Sequence, residues 1–234
     1  MGSACLYFEL APKKAILSDI NSDLTETFNT LKTDINNLWD QLSSISHDKD
    51  TYYLVRAKDP KTLSTTERSA RFIYLNRLCF NGLYRTNKRG QFNVPYGANR
   101  AGRFPTLDEL KAVATALESA DIVQLDFRQA LLKARAGDIY YIDPPYAVKN
   151  KRVFKQYGPD VFGINDLVDL SILLKEIDRS GAFFVMSYAE CDEAKKLLSE
   201  WDMKTISTFR NIAGFAKNRR QDNEIIYTNL RTRE

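Results

Sequence analysis

The chain has 234 residues, of which 44% are hydrophobic, and its formal net charge is +4. A chain of this length can bury a proper core, and we expect one domain with a substantial insertion. No apolar run reaches about 18 residues and no signal-peptide pattern is present, so neither a membrane protein nor a secreted one is indicated. The single histidine, His47, excludes a His-rich metal site, and we expect no metal. Three widely spaced cysteines fit reduced thiols, which predicts an intracellular, cytoplasmic location.

The first half of the chain predicts one strand followed by helices. Residues 15–18 form a short apolar run typical of a buried strand, and Asn21 or Ser22 can cap the helix that follows. Apolar residues at spacings of three and four then predict one helix with a single buried stripe. The residues of this stripe are Leu24, Phe28, Leu31, Ile35, Leu38, Leu42 and Ile45.

Two capping boxes predict two further helices. Ser64 pairs with Glu67 in the first box, and Thr106 pairs with Glu109 in the second. The second half of the chain then alternates between strand-like and helical segments, which is the pattern of an α/β fold. The predicted strands lie at 122–125, 139–142, 182–186, 205–209 and 224–228, and a helix is predicted near 165–179.

Residues 139–142 form an apolar, strand-like run that ends abruptly in Asp143, Pro144, Pro145 and Tyr146. A proline pair cannot continue a buried strand, so we expect Asp143 at the strand's C-terminal end, where open α/β sheets bind ligands. Asp143 and the Pro144 carbonyl can accept both hydrogens of an exocyclic amine, while Tyr146 can stack on the ring. The pattern predicts a site for a planar, amino-bearing ring. An Asp-Pro turn that merely closes a strand is the alternative.

Positive charge is concentrated in residues 51–104, which contain eleven Lys and Arg residues against Asp59 and Glu67. A basic block in an otherwise acidic chain is typical of phosphate-backbone binding, although many basic faces are merely solvated. Within it, residues 83–104 have a turn signal at 88–90 and predict a basic hairpin of the kind that fits the DNA major groove. An exposed hairpin with ordinary turn chemistry is the alternative.

The hairpin supplies candidate DNA contacts of two kinds. The residues at its tip can offer donors to base edges, and its arginines can hold phosphates. The tip residues are Asn87, Lys88 and Arg89, the phosphate candidates are Arg85, Arg100 and Arg103, and Asn93 completes the DNA-binding set.

Three carboxylates each end a predicted strand: Asp19, Asp126 and Asp143. If these strands are adjacent and parallel, all three carboxylates lie on one rim of the sheet. The segment Gly2-Ser3-Ala4 precedes Asp19 by about the separation that nucleotide-binding folds place between a glycine turn and a ribose-binding acid.

In the order of these motifs the chain resembles the Dam-like, alpha-class DNA adenine-N6 methyltransferases, which use S-adenosylmethionine. The resemblance covers nearly the whole chain, and its most specific blocks are Phe-Asn-Gly-Leu-Tyr-Arg and Asp-Pro-Pro-Tyr. The matching stretches are residues 2–8, 15–21, 71–97, 126–127 and 143–146.

The resemblance implies a Rossmann-like α/β three-layer sandwich with an inserted, mostly helical DNA-recognition domain and a β-hairpin. Residues 1–34 and 112–234 would form the methyltransferase domain, and residues 35–111 the target-recognition insert. The chain would transfer a methyl group from S-adenosylmethionine to adenine N6 in double-stranded DNA, after the base has rotated out of the duplex.

The family also implies roles for individual residues. Asp19 would bind the ribose of S-adenosylmethionine, while Asp126 and Phe127 would bracket its adenine by hydrogen bond and ring contact. Gly2, Asn21 and Asp143 complete the cofactor-binding set. The catalytic residues would be Asp143, Pro144, Pro145 and Tyr146. Arg210, Arg219 and Arg220 would either touch phosphate or form a solvated surface.

Two departures from the family pattern are visible. Family members carry a Lys-rich segment and a strand before the glycines, so we expect that the chain lacks both and that another polypeptide can supply them. Thr86 stands where related enzymes can carry an aromatic wedge, so we assign no recognition sequence.

The alternatives are an inactive, methyltransferase-derived DNA-binding protein and a protein amine or glutamine methyltransferase. Cytosine N4 is a chemically close acceptor.

Overall fold

The structure is a computed structural model that describes residues 1–87, 89–145, 162–209 and 221–230. The described residues divide into two compact units, one up to Leu125 and the other from Asp126 onward. Each unit has a hydrophobic core of its own. None of the described helices is long and apolar enough to cross a membrane.

The first unit is mostly helical and contains a two-stranded parallel sheet. Leu17 of one strand lies opposite Ile122 of the other. The polypeptide between these paired strands forms most of the helices of the unit. In chain order the elements are α1 (Cys5–Leu10), β1 (Ala15–Asp19), α2 (Ser22–Thr33), α3 (Ile35–Ser43), α4 (Lys49–Ala57), α5 (Thr65–Leu78), α6 (Leu107–Leu117) and β2 (Ala120–Gln124).

A break at Asp34 divides the first long helical segment into α2 and α3. Asp34 has φ −142° and ψ 44°, and its N–H still donates to the Thr30 carbonyl at 2.8 Å. Its carboxylate accepts hydrogen bonds from Asn37 and Thr66, at 2.7 and 3.0 Å. A short polar side chain that bonds locally competes with helical hydrogen bonding. The predicted continuous helix was therefore wrong, although its apolar stripe still supplies Phe28, Leu31, Leu38 and Leu42 to the core.

Both predicted capping boxes are present at the starts of α5 and α6. Ser64 Oγ accepts the Glu67 N–H at 3.3 Å, and the Glu67 carboxylate accepts the Ser64 N–H at 2.8 Å. Thr106 and Glu109 exchange the equivalent bonds at 3.3 and 2.9 Å. These bonds satisfy backbone donors that a helix leaves unpaired at its first turn.

The segment Val94-Pro95-Tyr96-Gly97 is hydrogen-bonded to α4 and to the end of α5. The buried Val94 carbonyl accepts a hydrogen bond from the Tyr52 hydroxyl at 2.9 Å. The Gly97 N–H donates to the Leu78 carbonyl at 2.8 Å. A Cβ on Gly97 would lie 2.6 Å from the Cys79 carbonyl oxygen, closer than real Cβ contacts, so only glycine fits. This docking fixes the base of the predicted hairpin.

The second unit is built on a four-stranded mixed sheet in the order β3-β4-β6-β5. β3 and β4 run parallel, whereas β6 is antiparallel to both of its neighbours. In chain order the elements are α7 (Phe127–Leu131), β3 (Ile139–Ile142), α8 (Ile164–Arg179), β4 (Phe183–Ala189), α9 (Asp192–Leu197), β5 (Asp202–Phe209) and β6 (Gln221–Thr228). The α/β class and the predicted strands of this half are confirmed, with boundary shifts of a few residues.

The core of the second unit lies between α8 and the sheet. Leu167, Leu170, Leu174 and Ile177 recur at helical spacing on α8 and are fully buried. The sheet contributes the fully buried side chains Phe184, Met186, Tyr188, Ile225 and Tyr227. This packing fixes the C-terminal end of β3, where the predicted Asp-Pro-Pro segment begins.

Candidate active site

Asp143 directly follows β3, so its predicted position at the end of a strand is confirmed. Parallel pairing sets Ile142 opposite Met186. The next residue of β4, Ser187, donates its hydroxyl hydrogen to Asp143 Oδ1 at 2.8 Å. Ser187 is buried, whereas Asp143 is exposed. The carboxylate is therefore anchored through one oxygen, and its second oxygen is left to accept from a ligand.

Sequence reasoning missed Ser187. The available signal was its position, because it directly follows the predicted strand 182–186. Ser187 continues the strand parallel to the Asp143 strand, one residue beyond the partner of Ile142, and is therefore placed beside that carboxylate. The catalytic candidates Pro144 and Pro145 follow Asp143, half-buried and exposed respectively, and Tyr146 lies outside the described residues.

In the first unit, the glycine turn lies in contact with the acid at the end of β1. The Gly2 N–H donates to Asp19 Oδ2 at 3.0 Å, and Gly2 has a φ of 54°, which favours glycine. The Asn21 N–H donates to Asp19 Oδ1 at 3.0 Å. The Asn21 side chain caps α2 by accepting from the Asp23 and Leu24 N–H groups. The structure thus brings together three predicted cofactor-binding residues.

In the second unit, Asp126 and Phe127 sit at the start of α7, where Asp126 Oδ1 accepts the Arg128 N–H at 2.9 Å. The Phe127 ring lies 5.8 Å from the Phe162 ring and 4.4 Å from the guanidinium carbon of Arg128. All three residues at the start of α7 are half-buried. A carboxylate beside an aromatic ring can accept a hydrogen bond from a base while the ring contacts its face.

The predicted common rim joins Asp19 of the first unit to Asp126 and Asp143 of the second. Each of these carboxylates lies at the C-terminal end of a strand, as predicted: Asp19 is the last residue of β1, Leu125 alone separates Asp126 from β2, and Asp143 directly follows β3. The common rim itself stays a prediction.

Antiparallel pairing confirms the predicted hairpin. Thr86 forms a bridge with Phe92, and the Asn87 N–H donates to the Gln91 carbonyl at 2.8 Å. The turn closes through Gly90, whose φ is 75°. The Arg85 guanidinium donates to Asn93 Oδ1 at 2.7 Å, so these two DNA-binding candidates also brace the strands of the hairpin.

The remaining DNA-binding candidates differ in their surroundings. Asn87, Arg89 and Arg100 are exposed, and the guanidinium of Arg100 lies 5.3 Å from the Phe80 ring centre. The Arg103 side chain pairs with the Glu109 carboxylate. The predictions for Lys88, Arg210, Arg219 and Arg220 concern positions outside the described residues.

A cleft of about 920 Å³ lies beside the hairpin within the first unit. Among the described residues, six cationic side chains and three acidic ones line it, so this part of its wall is net positive. Burial lowers the pKa of Arg71, which donates to the Val55 and Arg56 carbonyls. Burial also raises the pKa of Asp23. The charged lining residues are Arg56, Lys58, Lys61, Arg68, Arg71, Arg89, Asp23, Glu26 and Asp59.

The two units carry residue sets that fit a nucleoside cofactor and an amine substrate. A carboxylate that accepts an N–H from a glycine turn can also accept from ribose hydroxyls. An open space surrounds the position where a Cβ on Gly2 would lie, so a ligand can approach the backbone there. Among the described residues no cluster of three or more His, Cys, Asp or Glu side chains could hold a metal. The glycine turn and the carboxylates at strand ends are features shared with nucleotide-binding proteins of the α/β class.

The comparison with protein families gives the particular family. The model of the D12 class N6 adenine-specific DNA methyltransferases matches residues 1–212, and the chain belongs to this family. The prediction of an adenine-N6 DNA methyltransferase is therefore confirmed at the level of family and enzyme class. Enzymes of this kind take their methyl group from S-adenosylmethionine.

Individual relatives agree with the family model. The chain is 32% identical to the Type II methyltransferase M1.LlaDCHI of Lactococcus lactis subsp. cremoris, over 98% of this chain and 84% of the relative. It is 33% identical to the Type II methyltransferase M.MjaIII of Methanocaldococcus jannaschii, over 90% and 79%. It is 29% identical to a DNA adenine methylase of Haemophilus influenzae, over 97% and 81%.

Proposed function

We propose that the chain transfers the methyl group of S-adenosylmethionine to N6 of an adenine that has rotated out of duplex DNA. The observation that carries this proposal is the Asp143 carboxylate, which follows β3 and is anchored by Ser187 at 2.8 Å. Membership of the adenine-specific family supports adenine as the acceptor base. Rotation out of the duplex is required because the target atom cannot be reached inside the base stack.

Asp143 and Pro144 hold the target amine. The second oxygen of Asp143 and the Pro144 carbonyl each accept one amine hydrogen, while Pro145 stiffens the segment and Tyr146 stacks on the base. Accepting both hydrogens withdraws the nitrogen lone pair from conjugation with the ring and directs it toward the electrophile. Much of the acceleration comes from orientation, which can supply about 7–11 kcal/mol in well-aligned reactions.

Each proposed cofactor residue has a role of its own. When bound, S-adenosylmethionine supplies an electrophilic methyl group. Asp19 accepts from the ribose hydroxyls, while Gly2 and Asn21 fix the Asp19 carboxylate through their N–H groups. Asp126 accepts from the adenine amine, and Phe127 contacts the adenine ring.

Residues 35–111 form the target-recognition insert between the halves of a Rossmann-like domain, 1–34 and 112–234. The parallel pairing of β1 with β2 supports this division, because two adjacent strands are separated by the helices α2 to α6 and the hairpin. The net positive cleft and the exposed hairpin residues Asn87 and Arg89 support DNA binding by the insert.

Transfer of labelled methyl from S-adenosylmethionine to mixed-sequence duplex DNA, followed by nucleoside analysis, tests this function. We expect the label in N6-methyladenine. Label in N4-methylcytosine would overturn the choice of base, and label in added protein but not in DNA would overturn the substrate class. DNA binding without any transfer would indicate an inactive, methyltransferase-derived binding protein.

A further inference from the structure

Arg128 occupies an unusual position in the second unit, because one guanidinium contacts three carboxylates. Its Nε donates to Asp169 at 2.8 Å, its Nη2 donates to Asp166 at 2.5 Å, and its Nη1 lies 3.3 Å from Asp126 Oδ1. Nη2 also lies 2.7 Å from Asp169 Oδ2, so two nitrogens of the guanidinium hold Asp169 while the third faces Asp126. The planar fork of arginine suits this arrangement, whereas a lysine ammonium is a point charge.

The contacts of Arg128 join two parts of the second unit. Asp126 and Phe127 belong to the start of α7, while Asp166 and Asp169 lie in the first two turns of α8. Asp166 also accepts the Gly163 N–H at 2.6 Å, which fixes the first turn of α8. Arg128 therefore connects the proposed adenine-binding pair to a helix whose own start is well anchored.

The electrostatics favour a charged, fixed guanidinium. The hydrogen bonds that Arg128 donates to Asp166 and to Asp169 raise the pKa of Arg128 above its ordinary value. Burial alone would raise the pKa of Asp166, but the Gly163 N–H and Arg128 together bring it below its ordinary value. Without the cation, Asp126, Asp166 and Asp169 would be left as neighbouring negative charges, which repel one another.

Arg128 also contacts the two groups that would bind a base, the Asp126 carboxylate and the Phe127 ring. Its backbone N–H and its side chain both meet Asp126 Oδ1, at 2.9 and 3.3 Å, while Asp126 Oδ2 lies 3.5 Å from Arg128 Nη1. The guanidinium also covers one side of the Phe127 ring, at 4.4 Å. Oδ2 is therefore the less engaged oxygen, and the Phe127 ring is held in one orientation.

We infer that Arg128 is a positioning residue that holds Asp126 and Phe127 for recognition of the cofactor's adenine, and that it selects a base bearing a 6-amino group. This inference rests on the proposed function, which assigns the adenine to Asp126 and Phe127. Arg128 acts through Asp126: with Oδ1 occupied, Oδ2 is directed to accept from the 6-amino group. A base with a 6-oxo group offers no hydrogen there and would meet the carboxylate as a second acceptor.

Calorimetric binding of two cofactor products tests the inference without requiring turnover. S-adenosylhomocysteine carries the 6-amino group, and S-inosylhomocysteine carries a 6-oxo group instead. We expect the wild type to prefer the adenosyl compound. We expect Arg128→Gln to lose about tenfold in affinity for the adenosyl compound and little for the inosyl compound, as for the loss of one hydrogen bond to a charged group. The affinity of Arg128→Lys for the adenosyl compound should lie between those of the wild type and Arg128→Gln.

Two control variants separate positioning from stability. Arg179→Gln removes an exposed arginine of the same unit that pairs with Glu176, and it should bind both compounds as the wild type does. Asp126→Asn should reduce the preference for the adenosyl compound over the inosyl compound, as Arg128→Gln does. Thermal unfolding of each variant shows whether the unit remains folded.

The outcomes distinguish the inference from the proposed function. Arg128→Gln could keep the wild-type preference for the adenosyl compound while Asp126→Asn loses it. That result would overturn the role of Arg128 but would leave the proposed adenine contact of Asp126 in place. An equal loss of affinity for both compounds in Arg128→Gln would indicate a purely structural role and would also overturn the inference. If the wild type binds neither compound, the proposed function fails and the inference fails with it.

Discussion

Ser187 donates a hydrogen bond to Asp143 Oδ1 at 2.8 Å, from the strand parallel to the one that Asp143 follows. One oxygen of the carboxylate is thus fixed by the fold, and the proposed function assigns the other to the amine of the substrate. Ser187 itself lies at a buried position of β4. In the proposed mechanism the orientation of Asp143 is therefore set before substrate binds, which removes a reorganisation cost from the reaction.

Ser187→Ala should lower kcat about tenfold while leaving cofactor affinity unchanged, because it removes one hydrogen bond that orients Asp143. Single-turnover methyl transfer and binding of S-adenosylhomocysteine measure the two quantities. Ser171→Ala is the matched control, since the Ser171 hydroxyl donates to the Val168 carbonyl within α8. Equal kcat values for Ser187→Ala and wild type would show that the hydroxyl does not orient the carboxylate.

Gly97→Ala should destabilise the first unit by about 1–3 kcal/mol, the usual cost of inserting a methyl group into a packed site. The new Cβ would lie 2.6 Å from the Cys79 carbonyl oxygen. Urea unfolding measures the loss. Gly102→Ala provides a comparison, because its Cβ would lie 3.3 Å from the Arg77 carbonyl oxygen and should cost less. A Gly97→Ala protein as stable as the wild type would contradict the docking of this segment on α5.

Arg100→Gln and Arg89→Gln should affect DNA binding in different ways. Loss of a phosphate contact at Arg100 should weaken binding to all sequences and reduce the slope of log K against log salt by about 1. Loss of a base-edge contact at Arg89 should instead relax the sequence preference. Selection from a random duplex library, with salt titrations, distinguishes the two effects.

A matched control for the DNA-binding experiment is Lys111→Gln, which removes an exposed positive charge from α6. It should leave both the sequence preference and the salt slope near the wild-type values. If Lys111→Gln weakens binding as much as Arg100→Gln does, binding depends on the net charge of the unit and not on the hairpin.

The contribution of Glu109 to stability should depend on pH. Hydrogen bonds from Arg103 and from the Thr106 N–H lower the pKa of Glu109 to about 2, from an ordinary value of 4.5. A lowered pKa in the folded chain means that the ionised carboxylate stabilises the fold. This contribution should be fully present above pH 4.5 and disappear as the pH falls toward 2.

Urea unfolding of Glu109→Gln between neutral and acidic pH tests this dependence. The difference in unfolding free energy from wild type should narrow as the pH falls. Glu9→Gln makes the same chemical change at an exposed position of α1 and should give a small difference throughout. A Glu109→Gln difference that is constant with pH would exclude an electrostatic origin.

Local sequence signals predicted much of the fold because their physical causes are local. The abrupt end of β3 at Asp143 follows from the two prolines, and both capping boxes follow from side chains three residues apart. The break at Asp34 was missed although one of the hydrogen bonds of this carboxylate, from Asn37, is local; the other comes from Thr66, which is distant in sequence. The pattern of apolar residues continues across this break, so periodicity alone predicts one helix.

The candidate site shows the same division. Asp143 could be recognised from its own neighbours along the chain. Ser187 and Arg128 could not, because their roles depend on pairing across the sheet and on carboxylates of α8. The pairing of Arg85 with Asn93 was likewise missed, since it requires the hairpin register. Sequence reasoning identified residues whose chemistry is local, and the structure identified the residues that orient them.

Methyl transfer by Asp143→Ala is the experiment to perform first, because the proposed function depends on this carboxylate. The assay compares this variant with the wild type for transfer of labelled methyl to duplex DNA and for DNA binding. We expect N6-methyladenine from the wild type and DNA binding by both proteins. Transfer by the variant should be at least about a hundredfold slower, as is typical when one catalytic group is removed. Transfer by Asp143→Ala at the wild-type rate would show that other groups hold the amine and would overturn the proposed function.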